Sequence, residues 1–235
     1  MSYDASYAKY IDHTVLKVFT DKETLKKFCD EAKEYHFASV CVNPCNIPYV
    51  VEQLKESGVK ACSVIGFPLG ANTSKIKALE AKEVVEFGAE EVDMVINVGR
   101  LKDKDYDYVL NDIKAVVEAA HPKALVKVII ETRALNDEEK VKACELAMQA
   151  GADFVKTCTG FFGSEGATVH DVELMKKTVG DKLQVKASTG INSRATCDEM
   201  LAAGAVRMGT SKGIYIVKDE LPKLWCNKLI FVQQK

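Results

Sequence analysis

Residues 148–160 read MQAGADFVKTCTG: a helical stretch stops at Gly151, and a short apolar run then stops at Lys156. The same phrase recurs as KESGVKACSVIGF at 55–67, VEFGAEEVDMVIN at 85–97 and LAAGAVRMGTS at 201–211. Gly58, Gly88, Gly151 and Gly204 stand where a helix C-terminus calls for a left-handed residue. The runs after them are dense in Val, Ile and Met, as strands covered on both faces are. A helix that leads each time into a buried strand is a βα repeat, and the sheet built from it is parallel.

Extending the pattern in both directions predicts strands at Tyr10–Leu16, Ala38–Val42, Val59–Ile65, Glu91–Ile96, Leu125–Ile130, Asp153–Lys156, Leu183–Lys186 and Ala205–Met208. Helical segments fill the gaps, among them TSKIKALEAKEVVEF, NDEEKVKACELAMQA and SRATCDEMLAA, which open on Thr, Asn and Ser caps. No linker, low-complexity tract or composition break interrupts the series. The expected fold is α/β, a TIM (β/α)8 barrel forming a single domain over residues 1–235, with a short N-terminal helix and a C-terminal tail. A doubly wound open sheet is the competitor. It is weakened because no strand carries a G-x-G-x-x-G turn, and because VIGFPLG lacks the lysine and serine of a phosphate-binding P-loop.

Composition narrows the function classes. The 235 residues are 47% hydrophobic, enough for a full core, and 32 Lys+Arg against 34 Asp+Glu give a net charge of -2 with the signs interleaved. Neither nucleic acid nor a membrane is expected as a partner. No apolar stretch approaches the roughly 18 residues of a spanning helix, and MSYDASYAKY lacks a secretory pattern, so the cytoplasm is the expected location. The 8 cysteines are scattered and read as free, mostly buried thiols. Cys41 and Cys45 have no histidine or second cysteine pair to complete a zinc set, and the 4 histidines lie far apart. No metal and no cofactor are expected.

The predicted strand ends carry the chemistry. Strand 4 holds Asp93 and ends at Asn97, strand 5 holds Lys127 and leads to Glu131, and strands 6 and 7 end at Lys156 and Lys186. Alternation places Asp93 with Val95 and Asn97 on one face, and Lys127 with Ile129 and Glu131 on one face. Lys156 and Lys186 close neighbouring strands about 4.8 Å apart, so two ammonium groups are expected to face each other over the barrel mouth. An isolated strand-end lysine is ordinarily a side chain snorkelling to water. Two of them, with an aspartate nearby, read instead as a site in which like charge and burial disfavour protonation. A neutral lysine is a nucleophilic amine whose usual reaction is a Schiff base with a carbonyl.

Three glycine-containing turns surround that position: TCTG with Thr159 and Gly160, STGINS with Ser188, Thr189 and Gly190, and GTSKG with Gly209, Thr210 and Ser211. Each alone is ordinary turn chemistry. Together, at the loops where barrels hold phosphate, they favour a phosphorylated aldehyde or sugar. Cys41 reads as a packed core thiol, although it could face the site. LKDKDYDYVLNDIK reads as the exposed face of a helix, His36 and His121 sit at helix ends, and the tail LWCNKLIFVQQK is amphipathic.

The motifs YIDHTVLK, SVCVNP, VIGFPLGANTS, EVDMVINVG, LVKVIIET, FVKTCTGF, VKASTGI and RMGTS follow one another in an order and spacing that resembles the deoxyribose-phosphate aldolase family from about Tyr10 to Lys212. The resemblance implies reversible, metal-free cleavage of 2-deoxy-D-ribose 5-phosphate to acetaldehyde and D-glyceraldehyde 3-phosphate, in deoxyribonucleotide catabolism. It implies that Lys156 forms the Schiff base, that Lys186 perturbs it, and that Asp93 is the acid/base group, with Asp12 and Lys127 in support. It further implies a homodimer or larger homo-oligomer. The chain departs from the family after Ala187: the usual glycine pair and basic residue give way to Thr189, Gly190, Ile191 and Asn192. A phosphosugar isomerase or other lyase on the same scaffold, and a catalytically silent metabolite sensor, are the rival readings.

Overall fold

The computed structural model describes residues 3–163 and 165–220. Strands β1 (Ile11–Thr14), β2 (Ser39–Val42), β3 (Lys60–Ile65), β4 (Glu91–Val95), β5 (Leu125–Ile129), β6 (Phe154–Lys156), β7 (Gln184–Ser188) and β8 (Arg207–Thr210) close into a barrel in chain order. Every neighbouring pair is parallel, β8 to β1 included. The helices are α1 (Lys22–Tyr35), α2 (Ile47–Leu54), α3 (Ser74–Glu86), α4 (Val98–Lys102), α5 (Tyr106–Ala120), α6 (Asp137–Ala150), α7 (Val169–Val179), α8 (Arg194–Ala202) and α9 (Gly213–Lys218). The open-sheet alternative is thereby set aside.

Local chemistry explains most boundaries. Asn136 and Glu139 form a reciprocal capping box at the start of α6, and Ser193 caps α8. Gly58, Gly88, Gly151 and Gly204 all have positive φ. Thr73 holds the cap position of α3 but makes no side-chain cap bond. β1 lacks its expected first residue because Ala5–Tyr10 coils into a 3-10 helix capped by Asp4, and it ends at Thr14, short of Val15 and Leu16. β7 is longer: Ser188 pairs with Gly209, so Lys186 lies inside the strand and does not end it.

The stretch LKDKDYDYVLNDIK is not one exposed helical face. It breaks into the end of α4 and the start of α5, and Leu101, Val109, Asp112 and Ile113 are buried. Asp112 pairs with the equally buried Lys77 of α3 at 2.5 Å, and the same ammonium donates to the Val95 carbonyl at 2.8 Å. Burial lowers the Lys77 pKa and raises that of Asp112. This pair ties two helices to the end of β4, the strand that presents Asp93. Along each strand one set of residues packs outward on the helices, such as Val92 and Met94 of β4 or Val126 and Val128 of β5. The alternate set points inside. Among the described residues no helix is long and apolar enough to cross a membrane, and the tail LWCNKLIFVQQK lies outside them.

Candidate active site

The barrel interior holds a continuous network of charge. In the sheet Asp93 lies opposite Lys127, Lys156 opposite Lys186, and Lys186 opposite Arg207. Across the interior, Asp93 Oδ1 accepts from Lys127 Nζ at 2.8 Å, while Asp93 Oδ2 accepts from both Lys156 Nζ and Lys186 Nζ at 2.7 Å. Lys186 also meets Asp12 at 2.5 Å, and Lys127 meets Glu91 at 2.6 Å. Arg207 spans Asp12 at 2.7 Å and Glu91 at 2.5 Å, and Ser39 donates to Asp12 at 2.7 Å. The network therefore counts four cations, Lys127, Lys156, Lys186 and Arg207, against three carboxylates, Asp12, Glu91 and Asp93.

The expected pair of bare, facing ammonium groups is corrected by this geometry: a carboxylate stands between Lys156 and Lys186. Burial alone would raise the Asp93 carboxyl, but Lys127, Lys156 and Lys186 outweigh it and hold it well below the usual carboxylate range. Asp12 is likewise held down against burial by Lys186, Arg207 and Lys127. Burial would depress Lys186 and Lys127, yet the surrounding carboxylates, Asp12 and Asp93 for the first and chiefly Asp93 for the second, raise both above the ordinary lysine range. These two are fully buried, whereas Lys156 retains 3% exposure and touches a single carboxylate among the described residues. Lys156, the last residue of β6, is thus the least enclosed of the three lysines.

An apolar wall faces it. Leu16, Cys41, Cys62 and Val64, with Phe67 against them, form a small cluster separate from the helix-packed core. Cys41 accordingly lies on the barrel's interior side, which corrects its reading as an ordinary core thiol. Cys62 Sγ stands 3.3 Å from Asp93 Oδ1, and burial pushes its thiol well up.

Above the network opens a cavity of about 340 Å³ lined by Thr159, Gly160, Thr189, Gly190, Gly209 and Ser211, among others. All three predicted turns converge there. A side chain at Gly209 would fall 2.5 Å from Ser188 Oγ, so glycine is needed for the approach of β8 to β7. Ser188 Oγ is buried and free of protein partners among the described residues. Thr210 is committed to loop structure, donating to the Ile191 carbonyl and accepting from the Lys212 amide. Thr159, although it lines the cavity, is committed as well: its amide and hydroxyl both donate to Glu131. A larger cavity, about 580 Å³, lies between the start of α1 and α9 and contains none of the network's charges.

Sequence reasoning missed Glu91, Arg207, Ser39 and Cys62. Glu91 was accessible, since it stands two residues before Asp93 and must share its face. Asn97, grouped with Asp93 by the same rule, is instead the cap of α4.

The sequence profile described as DeoC/LacD family aldolase matches residues 6–222. A Streptococcus sanguinis protein named deoxyribose-phosphate aldolase is 60% identical over 212 residues, covering 90% of this chain and 96% of the relative. A Clostridium perfringens protein of the same name is 58% identical over 214 residues, covering 91% and 95%. The tetrameric deoxyribose phosphate aldolase of Aeropyrum pernix superimposes with a TM-score of 0.84 at 31% identity, covering 91% of this chain and 90% of that one.

Proposed function

The chain belongs to the DeoC/LacD family aldolases, and from that premise we propose that it cleaves 2-deoxy-D-ribose 5-phosphate reversibly to acetaldehyde and D-glyceraldehyde 3-phosphate through a Schiff base on Lys156. The observation that carries the residue assignment is the contact of Lys156, at 2.7 Å, with an aspartate that a second lysine also holds.

The chemistry follows from that contact. The Lys156 amine, having passed its proton to the network, attacks the substrate aldehyde, and loss of water leaves an iminium. Asp93 lies within reach to carry the protons, and Lys186 holds its carboxylate in place. Removal of the C3 hydroxyl proton lets the C2–C3 bond break, because the iminium accepts the electron pair and becomes an enamine. D-glyceraldehyde 3-phosphate leaves first. Protonation of the enamine carbon and hydrolysis then release acetaldehyde and restore the amine. The iminium is the electron sink, so this route calls on no metal or cofactor.

Lys127, Asp12, Glu91 and Arg207 brace Asp93 and Lys186 from below. The substrate phosphate is assigned to the amides around Gly160, Thr189, Gly190 and Ser211, with the free Ser188 hydroxyl available to a sugar oxygen. One catalytic domain, a cytoplasmic location, a homo-oligomeric state and a role in deoxyribonucleotide catabolism belong to the same proposal.

Borohydride reduction in the presence of acetaldehyde, followed by peptide mass spectrometry, tests it. The adduct is expected on Lys156 and absent from Lys156→Leu, which stays folded because its loss leaves three cations against three carboxylates. An adduct on Lys127 or Lys186 of the wild type would refute the assignment.

A further inference from the structure

Glu131 stands at the exit of β5, beside the nucleophile strand, and the chemistry above does not use it. Its backbone departs from the strand at φ 57, ψ 63, a left-handed conformation that only glycine adopts without strain. The alternation that places Lys127 and Ile129 inside the barrel therefore ends there, and the Glu131 side chain is redirected. The backbone on both sides is pinned to the neighbouring strand: Ile130 N–H donates to the Lys156 carbonyl at 3.0 Å and Thr132 N–H to the Thr157 carbonyl at 2.9 Å. Glu131 occupies the N-cap of the 3-10 turn Thr132–Ala134, yet its side chain makes no cap bond.

The carboxylate is used across the loop instead. It accepts from Thr159 Oγ1 at 2.5 Å and from Thr159 N–H at 3.2 Å, and it is 95% withdrawn from solvent, with 5% exposure. The Thr159 hydroxyl in turn accepts from Phe161 N–H at 3.1 Å. Gly160, between them at φ 81, lies so close to Thr189 that an added Cβ would sit 2.6 Å from Thr189 Oγ1. Residues 156–160 thus run from the nucleophile to the phosphate loop, and Glu131 clamps that run near its far end. A turn that served only structure could be made by glycine without strain; strain kept for a buried carboxylate points to a task for the carboxylate.

We infer that Glu131 is a positioning residue: it fixes the 157–161 loop so that the substrate phosphate and the carbonyl carbon facing Lys156 are held at their matched separation. The inference rests on the Schiff-base reading above. Misplacement of a reacting group by about 1 Å can cost on the order of 10²-fold in rate, so a loosened clamp is expected to be felt by substrates anchored at both ends.

The test compares Glu131→Gly and Glu131→Gln on three readouts. Glu131→Gly is expected to keep or raise the thermal midpoint, since glycine accepts this φ. It should lose roughly 10- to 100-fold in kcat/KM for 2-deoxyribose 5-phosphate, less than about threefold for unphosphorylated 2-deoxyribose, and nothing in borohydride trapping of acetaldehyde. Glu131→Gln, whose amide oxygen can accept both Thr159 bonds, should recover most of the loss. Equal losses on the two sugars, a lowered midpoint in the glycine variant, or a glutamine variant as poor as glycine would each overturn the inference. Failure of the wild type to trap acetaldehyde would instead refute the Schiff-base reading and remove the ground of this one.

Discussion

Thr189→Gly is the substitution on which the phosphate-loop reasoning can be tested most directly. Thr189 has φ 72, and Gly160 has room for no side chain against its hydroxyl, so a β-branched residue is held left-handed in a crowded loop. The left-handed conformation costs an L-residue roughly 1–2 kcal/mol. Glycine removes that cost but loses about 0.5–1 kcal/mol through the greater freedom of its unfolded chain. The balance favours the variant by about 0.5–1 kcal/mol, or a rise in Tm of about 1–4 °C for a chain of this size. Withdrawal of the side chain also lets the phosphate approach the amides of Gly160 and Gly190. A hydrogen bond to a charged group contributes about 1.5–3 kcal/mol when fully formed. Recovering half of one such bond lowers KM about 3- to 10-fold. Because the phosphate does not change during the reaction, the gain is uniform binding, and kcat should stay within about twofold. Steady-state kinetics on deoxyribose 5-phosphate together with thermal unfolding decide the matter. A KM that rises, a kcat that collapses or a Tm that falls would show that the threonine hydroxyl is itself a ligand or a structural requirement of the loop.

Two substitutions in the charge network carry further expectations. Lys186→Leu removes one of the two ammonium groups on Asp93 Oδ2 and strengthens the carboxylate's hold on the other, so borohydride trapping on Lys156 should persist with its pH dependence moved upward; an unchanged profile would exclude coupling through Asp93. Asp93→Asn should retain some trapping while turnover falls about 10²- to 10⁴-fold, as measured by single-turnover kinetics. The same variant leaves four buried or nearly buried cations against two carboxylates, a loss of about 3–5 kcal/mol of stability in denaturant titrations at pH 7. The Asp93 carboxyl is depressed in the folded state, so its contribution is complete above the unfolded value of about 3.9 and is lost as pH falls further; stability should decline less steeply below about pH 4 in the variant than in the wild type.

What could be read in advance followed from rules of period and punctuation. Glycines at helix exits and Val-rich runs gave the βα repeat because both signals are local. The pairing of Lys156 with Lys186 was legible because register between adjacent strands follows from equivalent position in the repeat. The end of β7 was misplaced because Ser188 and Thr189 have turn chemistry, and nothing local announces that Ser188 still pairs with Gly209. Asp112 was read as solvated because its partner, Lys77, comes from another helix 35 residues away. Glu131 was placed by alternation, which assumes extended backbone, and its left-handed φ is imposed by hydrogen bonds to residues of β6 and the loop beyond.

The larger difference concerns the interior charges. Alternation states which face a residue occupies, but it carries no information on which groups meet across the barrel. Asp93 sits opposite Lys127 in the sheet, yet its second oxygen is shared by lysines of β6 and β7, and Asp12 of β1 completes the contact to Lys186. Closure of the barrel brings those strands within ion-pair distance, and closure is a property of all eight strands at once. A lysine judged from its own strand therefore looks like an ammonium crowded by a like charge. The same lysine in the closed barrel shares a carboxylate with its neighbour, and in the proposed mechanism that carboxylate is both the acceptor for its proton and the group that later handles the substrate hydroxyl. The reactivity of Lys156 in this reading is set by the balance of four cations and three carboxylates more than by any one neighbour, which is why removing Lys186 and removing Asp93 are expected to move different observables.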